Sequence, residues 1–191
     1  MKVLVTGTST GIGRGIAEKF LAEGHTVIGL DVAESTIAHE NYAHYIADVA
    51  CPEQLPAVEG VEILINNAGV QDSGRDIDVN LRGTIYCTEK YGIQPNIKSI
   101  VMTASVSAHN GAEFPEYCAS KGGVLAYTKN VALRVAKYGA TCNSISAGGV
   151  ITELNAHILE NPALWDQVMA ETLLPKWATV EEMAEWTCLL Y

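Results

Sequence analysis

The chain has 191 residues, 48% of them hydrophobic and 18% charged, with a formal net charge of −10 and a pI near 4.9. That length suits one sizeable core and is short for two, and the apolar fraction excludes a disordered chain. The acidic balance repels phosphodiester backbones and anionic bilayers, so nucleic acid and membrane are excluded as expected partners.

In chain order, short β-rich runs alternate with helical ones. "KVLVTG" is an apolar run ended by glycine and predicts a buried strand. "IGRGIAEKFLAEG" follows, with Ile12, Ile16, Phe20 and Leu21 near helical spacing and Gly24 as a stop signal. "HTVIGLD", "AHYIADV", "VEILINNAG" and "KSIVMTAS" predict the second to fifth strands. Helices are expected over 76–91 and 115–137, a sixth strand at "ATCNSIS", and a tail from 152 that is helical in pieces, broken by Pro162 and Pro175.

Strands buried on both faces and separated by helices imply a doubly wound parallel sheet with helices on each side, an α/β fold of the Rossmann type. There is no short-period repeat, linker or low-complexity tract, so residues 1–191 read as one domain. "MKVLVTG" runs straight into a strand pattern, with no leader and no apolar run of membrane-spanning length. Cys51, Cys87, Cys118, Cys142 and Cys188 match no metal or redox spacing. They read as small buried apolar groups, and the expected location is a reducing cytoplasm. The five histidines form no ligand cluster, so no metal is expected.

In such sheets ligands bind at the carboxyl ends of the strands. The first strand ends in "TGTSTGIG", residues 6–13, where Gly7, Gly11 and Gly13 lie in a turn that opens a helix. Glycine permits close backbone approach, and the helix N-terminus offers unpaired N–H groups to a phosphate. The second strand ends in Asp31, which reads equally as a turn or helix-cap aspartate at the head of "DVAES" and as an acceptor for the adenosine ribose hydroxyls of a dinucleotide. The third ends at Asp48-Val49, the fourth at "NNAG" and the fifth at Ser105.

With "YCASK" at 117–121 and "NSISAGGVIT" at 143–152, this ordered set resembles the short-chain dehydrogenase/reductase family, in its compact NAD-preferring branch. The resemblance implies that the turn residues Gly7, Ser9, Thr10, Gly11, Ile12 and Gly13 bind the cofactor pyrophosphate region. It implies Asp31 at the ribose, Asp48 and Val49 at the adenine, and Asn67, Ala68 and Gly69 along the adenosine end of the groove. Val150 and Thr152 would hold the nicotinamide carboxamide. Asn80, Ser105, Tyr117 and Lys121 would form a catalytic tetrad, with Tyr117 and Lys121 also touching the cofactor. Ser107 is a nearby hydroxyl that competes with Ser105.

The chemistry explains the tyrosine–lysine spacing. Four residues is about one helical turn, so both side chains share a face. A phenol titrates near pH 10, and work near pH 7 needs a shift of about three units, roughly 4 kcal/mol. A cation about 4 Å away at an effective dielectric near 20 supplies about that much. The expected activity is hydride transfer between NAD(H) and a secondary alcohol or ketone, with Tyr117 as general acid/base. The alternative is a dinucleotide-binding sensor without efficient turnover.

Three features depart from the family pattern. Ala147-Gly148 stands where Pro-Gly is usual, and the stretch from Gly69 to Asn80 is short. The chain also ends at "AEWTCLLY" with nothing resembling the family's final strand, which sets the usual homo-oligomer in question. The apolar segment 153–177, with Leu154, Ile158, Leu159, Leu164, Trp165, Met169, Leu173, Leu174 and Trp177, reads equally as a cover for a hydrophobic substrate or as packing against the body.

Overall fold

The computed structural model describes residues 1–112 and 114–191. Its centre is a six-stranded, all-parallel sheet in the order β3-β2-β1-β4-β5-β6. The strands are β1 (Lys2–Thr6), β2 (Thr26–Asp31), β3 (Tyr42–Ile46), β4 (Ile63–Asn66), β5 (Ser99–Ser105) and β6 (Thr141–Ala147). Among the described residues no strand pairs with the outer side of β6.

Alternation along β1 explains the layers, because successive side chains point to opposite faces. Val3 and Val5 join Val27, Ile63, Ile65 and Val101 on one face, against Ile16, Ala17 and Phe20 of helix α1 (Gly11–Ala22). Ala184 and Cys188 of the C-terminal helix close the same face. Leu4 joins Ile28, Leu30, Leu64, Ile100 and Met102 on the other. There Val79, Cys87 and Tyr91 pack beside Val124, Val131 and Val135. These come from the helical run 77–92 and from α4 (Pro115–Val135). The run 77–92 has an α-helical centre, α2 (Thr84–Cys87), between wider π turns at Ile77–Gly83 and Thr88–Gly92. A short helix α3 (Ser107–Asn110) follows β5.

The sheet is unevenly covered. Every residue of β5 is buried, whereas Ala43, Tyr45 and Ile46 of the edge strand β3 are exposed. No helix joins β2 to β3, and only a three-residue 3₁₀ turn, Pro52–Gln54, lies between β3 and β4. The expectation of strands buried on both faces and separated by helices therefore fails at β3. This strand is also shorter than expected: after Ala47 N–H donates to the Asp31 carbonyl at 2.7 Å, the chain turns away at Asp48.

Beyond β6 the chain forms α5 (Ala156–Leu159), α6 (Pro162–Glu171) and α7 (Val180–Leu189). The tail is helical in pieces as expected, and the break between α5 and α6 falls just before Pro162, which opens α6. This proline occupies the first turn of α6, where a missing N–H is harmless, and Asn161 caps the helix by accepting from Ala163 and Leu164. Helix α7 starts on a reciprocal Thr179/Glu182 capping box. Trp177 is buried and meets Trp165 edge-on at 5.2 Å, while Leu154, Leu164, Leu173 and Leu174 are exposed. All five cysteines are free thiols. Among the described residues no helix is long and apolar enough to cross a membrane, and no group of His, Cys, Asp or Glu could hold a metal ion.

Candidate active site

The β1–α1 turn is built for close approach. Gly7 has φ +76°, and a Cβ on Gly13 would collide with the Gly7 carbonyl oxygen. Ser9 is buried within the turn, Thr10 is exposed and Ile12 is partly buried. The N-cap residue Thr10 makes no side-chain cap bond, and the first-turn amide groups of Gly11, Ile12 and Gly13 have no partner within the helix, an arrangement suited to a phosphate. Thr152 lies against Gly11: a Cβ there would sit 3.5 Å from the threonine methyl. Val150 is buried, and its neighbour Ile151 donates to the Ala178 carbonyl at 2.9 Å.

Asp31 ends β2 beside the turn. Its carboxylate accepts from Ser9 N–H at 2.9 Å and from Ala33 N–H at 3.0 Å, one on each oxygen. Each oxygen keeps a lone-pair direction for a ribose hydroxyl. Arg14 turns along α1 and pairs with Glu18 at 2.9 Å. Thr6 ties β1 to the end of β4: its hydroxyl accepts from Asn67 N–H and Ala68 N–H, both at 3.0 Å. Val49 is buried in the core against Gly83, so only its backbone can face a ligand.

The catalytic candidates gather at the ends of β4 and β5. Asn80 is buried in the first π turn; its amide donates to Val70 O at 2.9 Å and Ser120 Oγ at 3.0 Å and accepts from Val70 N–H at 2.8 Å. Gly69 lies between Asn80 and Lys121, for its Cβ would fall 3.2 Å from Asn80 Oδ1 and 3.4 Å from Lys121 Nζ. Lys121 Nζ donates to Thr103 O at 2.8 Å and lies 5.8 Å from the centre of the Tyr117 ring. Burial pulls the Lys121 ammonium down to about 8, with the Asp76 carboxylate opposing that shift. Ser105 Oγ lies 3.2 Å from Ser107 Oγ and accepts from Ser107 N–H.

Three groups escaped sequence reading. Asp76, buried four residues before Asn80, accepts from Asp72 N–H, Ser73 N–H and Ser73 Oγ, which closes the short 70–76 loop. Arg75 reaches Asp48, Nη2 to Oδ2, at 2.7 Å. Tyr42 Oη lies 2.8 Å from Thr8 Oγ1 and 3.0 Å from His44 Nδ1, and His44 Nε2 lies 2.9 Å from Ala33 O. The only signal for the last group was the alternation Tyr42, His44 on one strand face. For Asp76 it was an acid just before a helix, which reads as an ordinary cap.

With this geometry in view, a family model described as enoyl-(acyl carrier protein) reductase matches residues 7–191. A 2-(R)-hydroxypropyl-CoM dehydrogenase of Xanthobacter autotrophicus is 29% identical over an alignment of 223 positions, which covers 95% of this chain and 87% of the relative. A 3-oxoacyl-[acyl-carrier protein] reductase of Brucella melitensis, solved with NAD, superposes with a TM-score of 0.84 at 26% identity, over 99% of this chain and 88% of the other. An Agrobacterium tumefaciens protein assigned as a 2-deoxy-D-gluconate 3-dehydrogenase, solved with NADP, superposes with a TM-score of 0.89 at 25% identity, over 99% and 87%. The chain belongs to the short-chain dehydrogenase/reductase family. It is an oxidoreductase of that family, whose members use nicotinamide dinucleotides.

Proposed function

We propose that residues 1–191 act as a single unit that moves a hydride between NAD(H) and a secondary alcohol or ketone. The observation that carries this reading is the buried Lys121 ammonium, held by Thr103 O and lying 5.8 Å from the Tyr117 ring centre. An ammonium beside the ring on the same helical face favours the phenolate over the neutral phenol. NAD, when bound, supplies the hydride acceptor and, in its oxidised form, a second positive charge.

Tyr117 takes the proton from the alcohol hydroxyl during oxidation and returns it to the carbonyl oxygen during reduction. Ser105, at the end of the strand that also carries Thr103, donates a hydrogen bond to the substrate oxygen and stabilises its developing charge. Lys121 keeps the phenol acidic and holds the nicotinamide ribose. Asn80 fixes the π turn beside Lys121 through Val70 and Ser120 and places a water that links Lys121 to solvent.

The turn residues Gly7, Ser9, Thr10, Gly11, Ile12 and Gly13 hold the pyrophosphate, and Asp31 accepts from the ribose. Asp48 and the Val49 backbone take the adenine, Asn67, Ala68 and Gly69 line the adenosine end, and Val150 and Thr152 take the carboxamide. NAD is favoured over NADP because Asp31 carries a like charge where NADP carries its phosphate. The exposed apolar residues Leu154, Leu164, Leu173 and Leu174 support a hydrophobic substrate.

The test is a panel of secondary alcohols and ketones with each nicotinamide dinucleotide, followed by nicotinamide absorbance. NAD-linked turnover of at least one member is expected. Tight NADH binding without turnover anywhere in the panel would instead favour a sensor.

A further inference from the structure

The short connection between Gly69 and Asn80 delivers a cation to the adenosine end of the groove. Residues 70–76 fold back on themselves. Asp72 and Gly74 take left-handed φ values of 51° and 72°, and Asp76 and Asn80 bind the loop's backbone at 72, 73 and 70. Arg75 follows the second left-handed residue, and its carbonyl accepts from Val79 N–H at 2.9 Å as the first acceptor of the helical run. A guanidinium at a helix N-terminus lies against the helix dipole, which favours anions there. Its side chain instead crosses to Asp48, 27 residues earlier in the chain, and meets Oδ2 at 2.7 Å. The other carboxylate oxygen accepts from Ala50 N–H at 2.9 Å. The plane of the Asp48 carboxylate is thereby fixed at both oxygens.

Burial alone would raise the Asp48 carboxyl, but the Arg75 guanidinium and the Ala50 N–H outweigh it and hold it below the usual carboxylate range. Like any aspartate at neutral pH, the group facing the adenine subsite is an ionised acceptor with no proton to give, and Arg75 and Ala50 fix its orientation.

We propose that Arg75 is a positioning residue for cofactor base recognition: by fixing the plane of the Asp48 carboxylate, it sharpens selection of a purine with an amino group at position 6 over one with a carbonyl there. This rests on the dinucleotide reading above, which puts adenine at Asp48. Adenine offers an N–H donor to the clamped carboxylate. Hypoxanthine offers a carbonyl oxygen, so two acceptors would face each other with no proton between them.

The test compares binding of NADH and its hypoxanthine analogue by fluorescence titration, for the wild type, Arg75→Gln and Arg75→Lys. Thermal melts of each variant report folding. In the wild type, NADH is expected to bind about tenfold or more tighter than the analogue, as befits an ionised acceptor made to face a second acceptor in a partly buried site. Arg75→Gln should weaken NADH by about three- to tenfold and shrink the ratio between the two ligands, and Arg75→Lys should restore part of that ratio. Equal weakening of both ligands, or no weakening of either, overturns the proposal and leaves the pair as support for the loop. If the wild type binds NADH but does not prefer it over the analogue, Asp48 is not the adenine acceptor and the proposal falls with that assignment. If the wild type binds neither dinucleotide, the functional reading itself fails.

Discussion

The two halves of the sheet hold their ends in different ways. Strands β4 to β6 lie under the helical run 77–92 and the long helix α4, and the Asn80, Tyr117 and Lys121 side chains project from those helices. Strands β2 and β3 have no crossover helix between them, and the groups around Asp31 and Asp48 sit on loops. In the first half, backbone helices fix the site. In the second, side chains pin the loops: Thr36 Oγ1 donates to Ser9 O at 2.7 Å, His44 holds Ala33 O, and Arg75 holds Asp48. Changes in the helical half should therefore remove chemistry, and changes in the loop half should retune cofactor binding.

The largest expected effect lies in the helical half. Tyr117→Phe removes one hydroxyl and leaves the helix intact. Turnover should fall at least about a hundredfold, while NADH affinity stays within a few fold. Fluorescence titration beside steady-state kinetics checks both; retained turnover would sink the acid/base role and the contrast with it.

Next comes the ribose end of the loop half. Asp31 and the 2′-phosphate of NADP repel by roughly 1–4 kcal/mol in a partly desolvated groove, so kcat/KM should favour NAD by about tenfold to a thousandfold. Arg75 adds a base that the sequence did not place there, but its charge is already taken up by Asp48. Asp31→Ser should narrow the preference mainly by improving NADP. Equal use of both cofactors by the wild-type chain would overturn it.

These two predictions differ in how readable their residues were. Tyr117 and Lys121 stand one helical turn apart on α4, and the glycine turn sits between β1 and α1, so local pattern was enough to place them on those elements. The sheet's strands were equally visible as apolar runs. Arg75 was invisible because its partner is 27 residues away and its path depends on left-handed residues at Asp72 and Gly74. The ends of β3 slipped because its hydrophobic pattern runs on into Ala47, Asp48 and Val49, while the ladder stops at Ile46. Pro162 marked the break between α5 and α6, but its role as the opening residue of α6 was not legible, because proline gives the same signal at a helix end and in a first turn. Local periodicity reports local structure; loops held by long-range side-chain bonds leave almost no such trace.

The third prediction concerns stability in the helical half. Lys121 is buried, and burial holds its folded value at about 8, below the ordinary lysine value near 10.4. Between those values the unfolded chain binds more protons than the folded one, so stability rises with pH across that window. The burden of a buried ammonium is full below pH 8 and gone above about 10.4. Lys121→Met should therefore raise stability at pH 7 by about 1–3 kcal/mol, reduced by the Thr103 carbonyl it leaves unpaired, while abolishing turnover. Urea melts at pH 7 and near pH 10.5 check this. A gain that persists at the higher pH would rule out the charge as its source.

The smallest expected effect probes whether side chains truly replace the crossover helix between β2 and β3. The Ala33 carbonyl can only accept, so His44 must carry its proton on Nε2 to hold it at 2.9 Å. Nδ1 of the same ring faces the Tyr42 hydroxyl, which also meets Thr8 in the glycine turn. The chain of contacts thus runs from the loop after Asp31, through the edge strand, back to the turn before α1. It ties Ala33, whose N–H also binds Asp31, to the glycine turn. His44→Ala cuts the chain at its exposed end. Asp31 keeps its two backbone donors, so the loop loosens without losing its charge. NADH affinity should weaken by about three- to tenfold, with kcat at saturating cofactor unchanged, the size expected for one partly exposed hydrogen bond. Tyr42→Phe should do the same from the buried end, and His44→Gln, whose amide can donate to Ala33 O, should recover part of the loss. A fall in kcat at saturating NADH would show that the loop half reaches into the chemistry, and the division between the two halves would then be wrong.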